Sequence, residues 1–297
     1  MGLEVGMIGL GIMGTAISAN LLKDGISIVG YDVVKEQVDI LVGKGGKGAA
    51  SPKDVAAKAD IVLTLLPSVS ALNEVVWGKD GILASNHKGL IVVESGTLPL
   101  EDKLRAHAAL NTAGMVMLDC TLSGTGAQAA LKDLAVYGSG ERSAFDTCVP
   151  VFKGFARSHY YLGEFGNGSK MKYVANLLVA IHNVAAAEAF VLGMKAGLDP
   201  ELIYKVISDG AGTSRMFEVR GPLMVQGRYD QATMKMDVWQ KDLKIISSFA
   251  GNINCPTPLL SICAQVYIAA LAQGRDKQDT GSVCAVMEEW ANFKREK

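Results

Sequence analysis

The chain has 297 residues, 33 of them glycine, with 29 Lys+Arg against 30 Asp+Glu. That length suits two domains of roughly 100–200 residues each, and the 49% apolar content excludes a disordered chain. A net charge of −1 provides no bulk field for nucleic acid or an anionic membrane, so neither is expected as a partner. Glycine is in excess, and the absence of a G-X-Y period excludes collagen, which points to close approach of backbone to a ligand.

The first half alternates short β-branched runs with helical patterns. Residues 4–9 read as a strand, 16–24 as a helix closed by Gly25, and 27–32 as a second strand. Further strands are predicted at 60–66, stopped by Pro67, then at 90–94, 115–119 and 134–138. Continuous apolar runs separated by helices predict a Rossmann-type, doubly wound α/β fold with a parallel sheet covered on both faces. After about Tyr161 the texture changes. A glycine-rich stretch, Gly163 to Gly168, precedes a long helical pattern from Ser169 to about Ala196, and helix-like segments broken by Gly and Pro run to the end. The expected division is a dinucleotide-binding domain over 1–163 and an all-helical substrate and dimerisation domain over 164–297. The second domain is expected to supply the surface of a homodimer or homotetramer. The apolar stretch from Val174 to Leu192 contains Asn176, His182, Asn183 and Glu188, so it reads as a buried helix rather than a membrane span.

The five cysteines are odd in number and form no C-x-x-C pair, which favours a reducing, cytoplasmic compartment over a disulfide framework or zinc site. No basic and apolar leader pattern precedes the first strand, so no targeting peptide is expected. The four histidines, His87, His107, His159 and His182, show no ligand spacing, and no metal is expected.

Gly9-Leu10-Gly11-Ile12-Met13-Gly14 matches G-x-G-x-x-G between a strand and a helix. Gly9 suits the tight turn, Gly11 lets a pyrophosphate approach the backbone, and Gly14 lets helix and strand pack closely. The helix N-terminus adds amide donors and partial positive charge. Asp32, at the end of the second strand, is placed to accept the ribose hydroxyls and repel a 2′-phosphate. Val33 follows it, with no adjacent Arg, which favours NAD over NADP. Leu66-Pro67 and Thr97 lie at strand C-termini, where cofactors bind in open α/β sheets.

The loop continues into Ala19-Asn20-Leu21-Leu22-Lys23-x-Gly25, and three further segments follow in order: Asp119-Cys120-Thr121-Leu122-Ser123-Gly124-Thr125, then Gly166-x-Gly168-x-x-x-Lys172-x-x-x-Asn176, then Lys241-Asp242-Leu243. Together these resemble the signatures of the β-hydroxyacid dehydrogenases, the 3-hydroxyisobutyrate dehydrogenase family. The resemblance covers essentially the whole chain. It implies oxidation of a small 3-hydroxy acid with Lys172 as base, and as acid in the reverse direction. It implies that Asn176 holds the substrate near the reacting carbon, that Ser123 and the Gly124 amide cradle its carboxylate, and that Lys241 lies near cofactor and substrate. The chemistry is consistent. Lys172 and Asn176 are i and i+4 on one helix face. A lysine serves as base once burial or nearby positive charge lowers its pKa from about 10.4. Lys170 is two residues away and on another face.

Cys120-Thr121 stand where the family pattern has Ala-Pro, and Thr125 replaces a glycine. Cys and Thr are expected to alter the lining of the pocket. They shift the expected substrate from plain 3-hydroxyisobutyrate toward a more polar acid, such as glycerate, tartronate semialdehyde in the reducing direction, or a four-carbon sugar acid. Asn183 either lines the cleft or satisfies a buried partner, and Arg215 either reaches the substrate or is a surface charge. Two alternatives are an imine reductase of the same fold, against which Lys172 argues, and an NAD-binding protein without chemistry, against which Ser123, Lys172 and Asn176 together argue.

Overall fold

A computed structural model describes residues 3–295. In the first half, strands and helices alternate in the order β1 (Glu4–Ile8), α1 (Ile12–Lys23), β2 (Ser27–Tyr31), α2 (Lys35–Gly43), β3 (Lys47–Gly48), α3 (Pro52–Lys58), β4 (Ile61–Thr64), α4 (Val69–Trp77), β5 (Ile91–Glu94), α5 (Leu100–Thr112), β6 (Val116–Ser123), α6 (Gly126–Ala130), β7 (Ala135–Ser139), α7 (Arg142–Phe155) and β8 (Ser158–Tyr161). Helices follow: α8 (Asn167–Lys195), α9 (Pro200–Ser208), α10 (Arg215–Gln226), α11 (Met236–Asn252), α12 (Pro258–Ala272) and α13 (Val283–Trp290). The chain divides into two compact units, Met1–Lys172 and Tyr173–Lys297, and the division falls inside α8.

The strands form one sheet in the order β3-β2-β1-β4-β5-β6-β7-β8. Alternate residues of each strand feed two separate cores. Met7, Ile28, Leu63, Val93 and Leu118 pack on one face, while Ile8, Val29, Val62, Val92 and Met117 pack on the other. Both faces are therefore dry, which explains why the strands read as unbroken apolar runs. The order reverses between β1 and β4, and such a switch point opens a crevice at the strand C-termini.

The sheet differs from an all-parallel one. β6 pairs with β7 antiparallel, Asp119 opposite Ser139 and Ser123 opposite Ala135. Residues 124–134 between them hold only the five-residue α6, too short a span for a parallel crossover. β3 and β8 were not expected. Both are short edge strands without an apolar run, β3 being Lys-Gly and β8 being Ser-His-Tyr-Tyr.

In the helical unit, α8 is long and apolar enough to cross a membrane by length and composition. Its polar side chains Asn176 and Asn183 are nevertheless buried with partners inside that unit, as in a core helix.

The start of α8 sits directly on the sheet. A Cβ added at Gly168 would lie 2.4 Å from the carbonyl oxygens of both Asp119 and Tyr137. Gly168→Ala must shift backbone against backbone, and the expected cost is about 1–3 kcal/mol, measured as a lower midpoint in urea unfolding.

Candidate active site

In the first unit the predicted residues converge on the C-terminal ends of β1, β2, β4, β5 and β6. The phosphate loop divides its labour by position. Gly9 has φ +94°, and a Cβ there would lie 2.3 Å from the Leu65 carbonyl oxygen. A Cβ on Gly14 would lie 2.0 Å from the Gly9 carbonyl oxygen, so both glycines hold protein against protein. At Gly11 a Cβ would meet nothing within 4 Å, so the space before it is open to a ligand. Gly11 caps α1 without a side-chain hydrogen bond, and the first turn of α1 carries no acidic residue. Amide donors with no competing carboxylate suit a pyrophosphate, so the loop fits a dinucleotide. Leu10 is buried in the core and Met13 packs against that core, whereas Ile12 is exposed at the rim.

Asp32 is tied to the same loop. Its carboxylate accepts the Leu10 amide at 2.6 Å and the Val34 amide at 2.9 Å. Two accepted bonds leave lone pairs for ribose hydroxyls. Leu66 and Thr97 lie on neighbouring loops, because Gly96 packs against the Leu66 backbone. The Leu66 side chain is in the core, which leaves only its backbone for contact with a ligand, while Pro67 is exposed and Thr97 half-buried. Ser123 ends β6 half-buried, with Gly124 beyond it at φ +133°.

Cys120 and Thr121 do not line a pocket, contrary to expectation. β6 runs on to Ser123, so both are strand residues, each fully buried. Cys120 belongs to the hydrophobic core, and the Thr121 hydroxyl donates to the Gly168 carbonyl at 2.8 Å. Thr125 begins α6, and its amide donates to Gln128 Oε1 at 3.0 Å.

A buried polar network links these strand ends to α8. Lys103, wholly buried on α5, lies 2.5 Å from Glu94 Oε2 and 2.8 Å from Asp119 Oδ1, and donates to the Gly96 carbonyl at 2.7 Å. Glu94 also accepts the Gly96 amide at 2.9 Å. Asp119 in turn accepts the Ser169 amide at 2.6 Å and the Ser169 hydroxyl at 2.9 Å. Ser139 Oγ accepts the Gly168 amide at 2.9 Å. Burial pushes the Glu94 carboxyl above the usual carboxylate range despite the opposing pull of Lys103. Burial also opposes the charge on Lys103, but Asp119 and Glu94 outweigh it and hold the ammonium above the usual lysine range. Nothing in the spacing of Lys103 marks it from an ordinary helix-surface lysine, so no sequence signal singles it out.

α8 carries Lys172 half-buried and, one turn later, Asn176 buried. In the helical unit Asn176 Nδ2 donates to Asp242 Oδ2 at 2.8 Å. The other oxygen of Asp242 lies 3.4 Å from Lys241 Nζ on the same helix, α11. Asp242 is thus the partner that sequence reasoning overlooked, although it stands inside the quoted Lys241-Asp242-Leu243. Asn183 is a core residue, donating to Tyr267 Oη at 3.0 Å and to the Thr280 carbonyl at 2.9 Å. Arg215 is exposed at the start of α10 and pairs with Glu218 at 3.2 Å.

Comparison with known proteins bears on the family and the fold. Residues 4–163 match the NAD-binding domain of 6-phosphogluconate dehydrogenase, and residues 166–287 match the family described as NAD-binding of NADP-dependent 3-hydroxyisobutyrate dehydrogenase. An L-threonate dehydrogenase of Cupriavidus necator is 33% identical over 287 residues, covering 96% of each chain. The chloroplastic glyoxylate/succinic semialdehyde reductase 2 of Arabidopsis thaliana is 28% identical, covering 96% of this chain and 79% of its own. A solved 3-hydroxyisobutyrate dehydrogenase from Salmonella typhimurium superposes with a TM-score of 0.86 at 31% identity, covering 96% of this chain and 99% of that one.

Asp242→Ala would leave the buried Asn176 amide without its acceptor. The expected loss of stability is about 1–3 kcal/mol in urea unfolding, the penalty for an unpaired buried donor.

Proposed function

The chain belongs to the β-hydroxyacid dehydrogenase family and is an NAD(P)-dependent dehydrogenase acting on CH–OH groups; from that premise we propose that it uses NAD to oxidise a small polar hydroxy acid, with Lys172 carrying the proton. The observation that carries this reading is the spacing on α8, where Lys172 and Asn176 stand one turn apart and Asp242 fixes the amide of Asn176. Asn176 positions the substrate, and Lys172 takes the proton of the hydroxyl that is oxidised. Bound nicotinamide supplies the hydride acceptor. The Ser123 hydroxyl and the Gly124 amide hold the carboxylate, a task suited to neutral donors that bind an anion without an arginine. Lys241 adds positive charge near cofactor and substrate. No step needs a metal.

The four-carbon sugar acids head the expected substrates, supported by the threonate dehydrogenase relatives, with glycerate and 3-hydroxyisobutyrate next. NAD is favoured by the Asp32 carboxylate at the loop and by Val33 beyond it, where a 2′-phosphate would meet negative charge and no arginine. A reducing, cytoplasmic setting fits five cysteines that are all free thiols.

The test is NADH or NADPH formation with L-threonate, glycerate and 3-hydroxyisobutyrate. The expected outcome is turnover of at least one acid, faster with NAD. Lys172→Ala should lower kcat by roughly 10²–10⁴ while the Kd for NAD is unchanged, as for loss of a general base. Reduction of cyclic imines without turnover of any acid would favour the imine reductase, and NAD binding without either reaction would favour a non-catalytic protein.

The helical unit also leaves apolar side chains exposed, including Val174 and Leu192 on α8 and Leu202 and Val206 on α9. Their exposure supports a homodimer or homotetramer built through this unit. Light scattering after gel filtration is expected to give a dimer or tetramer mass, and Leu192→Glu with Val206→Glu to lower it.

A further inference from the structure

We propose that Lys103 is a positioning residue for Lys172 and for the cofactor loop after β5, acting through the two carboxylates it bridges. The inference rests on the proton role proposed for Lys172. Lys103 touches neither ligand segment through its position in the sequence; it reaches both through buried contacts. On one side it holds Glu94 and the Gly96 carbonyl, and Glu94 accepts the Gly96 amide, so the backbone immediately before Thr97 is held from both of its polar groups. On the other side it holds Asp119, which accepts the amide and the hydroxyl of Ser169. Ser169 is one helical turn before Lys172, so fixing Ser169 fixes the base of the turn that carries the proton-transfer group.

The arrangement is costly as a purely structural device. Burying an ammonium and two carboxylates carries a penalty that well-packed apolar residues avoid, and apolar replacements of such triads are often neutral or stabilising. What apolar residues cannot supply is direction. Both oxygens of Asp119 and Oε1 of Glu94 accept hydrogen bonds, while the Lys103 ammonium donates to Asp119 and the Gly96 carbonyl and pairs by charge alone with Glu94 Oε2, so the group is held from several sides at once. A carboxylate at the N-terminus of α8 also meets the positive end of the helix dipole, which strengthens the hold at that turn. Misplacing a reacting group by about 1 Å costs up to 10²-fold in rate, so an anchor one turn away is close enough to matter.

The test compares Lys103→Met and Ser169→Ala with the wild type, using the acid that gives turnover, at a temperature where each variant is folded. Three readouts are taken: kcat and KM, the solvent deuterium isotope effect on kcat, and amide hydrogen exchange over residues 166–172. Lys103→Met is expected to lower kcat about 10- to 100-fold with KM within about two-fold, and Ser169→Ala to lower it about 3- to 10-fold. The isotope effect should rise in both, because proton transfer becomes slower, and exchange should quicken in the first turn of α8 while its later turns keep their protection. A merely structural role would lower the unfolding midpoint and leave kcat and the isotope effect of the folded protein unchanged. Wild-type kcat, or wild-type exchange over 166–172, overturns the inference; where Lys103→Met does not fold, Ser169→Ala alone decides by the same criteria. A dead Lys172→Ala beside an unimpaired Lys103→Met refutes this inference only, whereas an active Lys172→Ala refutes the proton role beneath it.

Discussion

The seating of the start of α8 against β6 and β7 is the constraint on which the candidate chemistry depends. Two backbone carbonyls, of Asp119 and Tyr137, come so close to Gly168 that only glycine fits. Around that contact every neighbouring polar group is engaged: Ser139 takes the Gly168 amide, Thr121 takes its carbonyl, and Asp119 takes Ser169. A helix start must find partners for its orphan donors, and here the Gly168 and Ser169 amides find theirs on the sheet, while the Asn167 amide donates locally to the Glu164 carbonyl. The first turn of α8 is therefore held by β6 and β7, and with it the place of Lys172.

The antiparallel β7 gains meaning from the same contact. Its register places Ser139 opposite Asp119, so two polar strand residues meet the α8 start side by side. A parallel strand in that position would arrive after a long crossover, and residues 124–134 leave no room for one. The short connection that defeats a wholly parallel reading thus also supplies one of the anchors of the helix.

The sheet was legible because dry faces impose a pattern. Strands buried on both sides are apolar without interruption, and β1, β2, β4, β5 and β6 announce themselves as such, while the two-residue β3 and the Ser-His-Tyr-Tyr of β8 carry no such run. The glycine loop was legible for a related reason: a turn at which any Cβ would lie 2.3 Å from a carbonyl oxygen has a single solution in side-chain terms. Lys103 and Asp242 were not legible. Each sits on a helix amid other charges, and only tertiary burial separates a buried bridge from a solvated lysine or aspartate. Asn183 shows the same limit from the other side, since a polar residue facing a cleft and one satisfying Tyr267 have the same helical spacing.

Cys120 and Thr121 show how a sound motif can mislead about detail. Taken as loop residues they would face the substrate and make its pocket more polar. As strand residues they face inward, and the hydroxyl of Thr121 is spent on Gly168. A proline there would bring no hydroxyl and no amide, so the departure from Ala-Pro exchanges backbone rigidity for a hydrogen bond to the start of α8. The residue change that seemed to speak of substrate thus speaks of the anchor. The case for a hydroxylated four-carbon acid passes from this segment to the threonate dehydrogenase relatives. The same segment instead ties Ser123, at the end of β6, to the strand that holds Asp119. The proposed carboxylate cradle and the helix anchor then meet on one strand, so a displacement of β6 would move the residues proposed to bind the acid and the turn that bears Lys172 together.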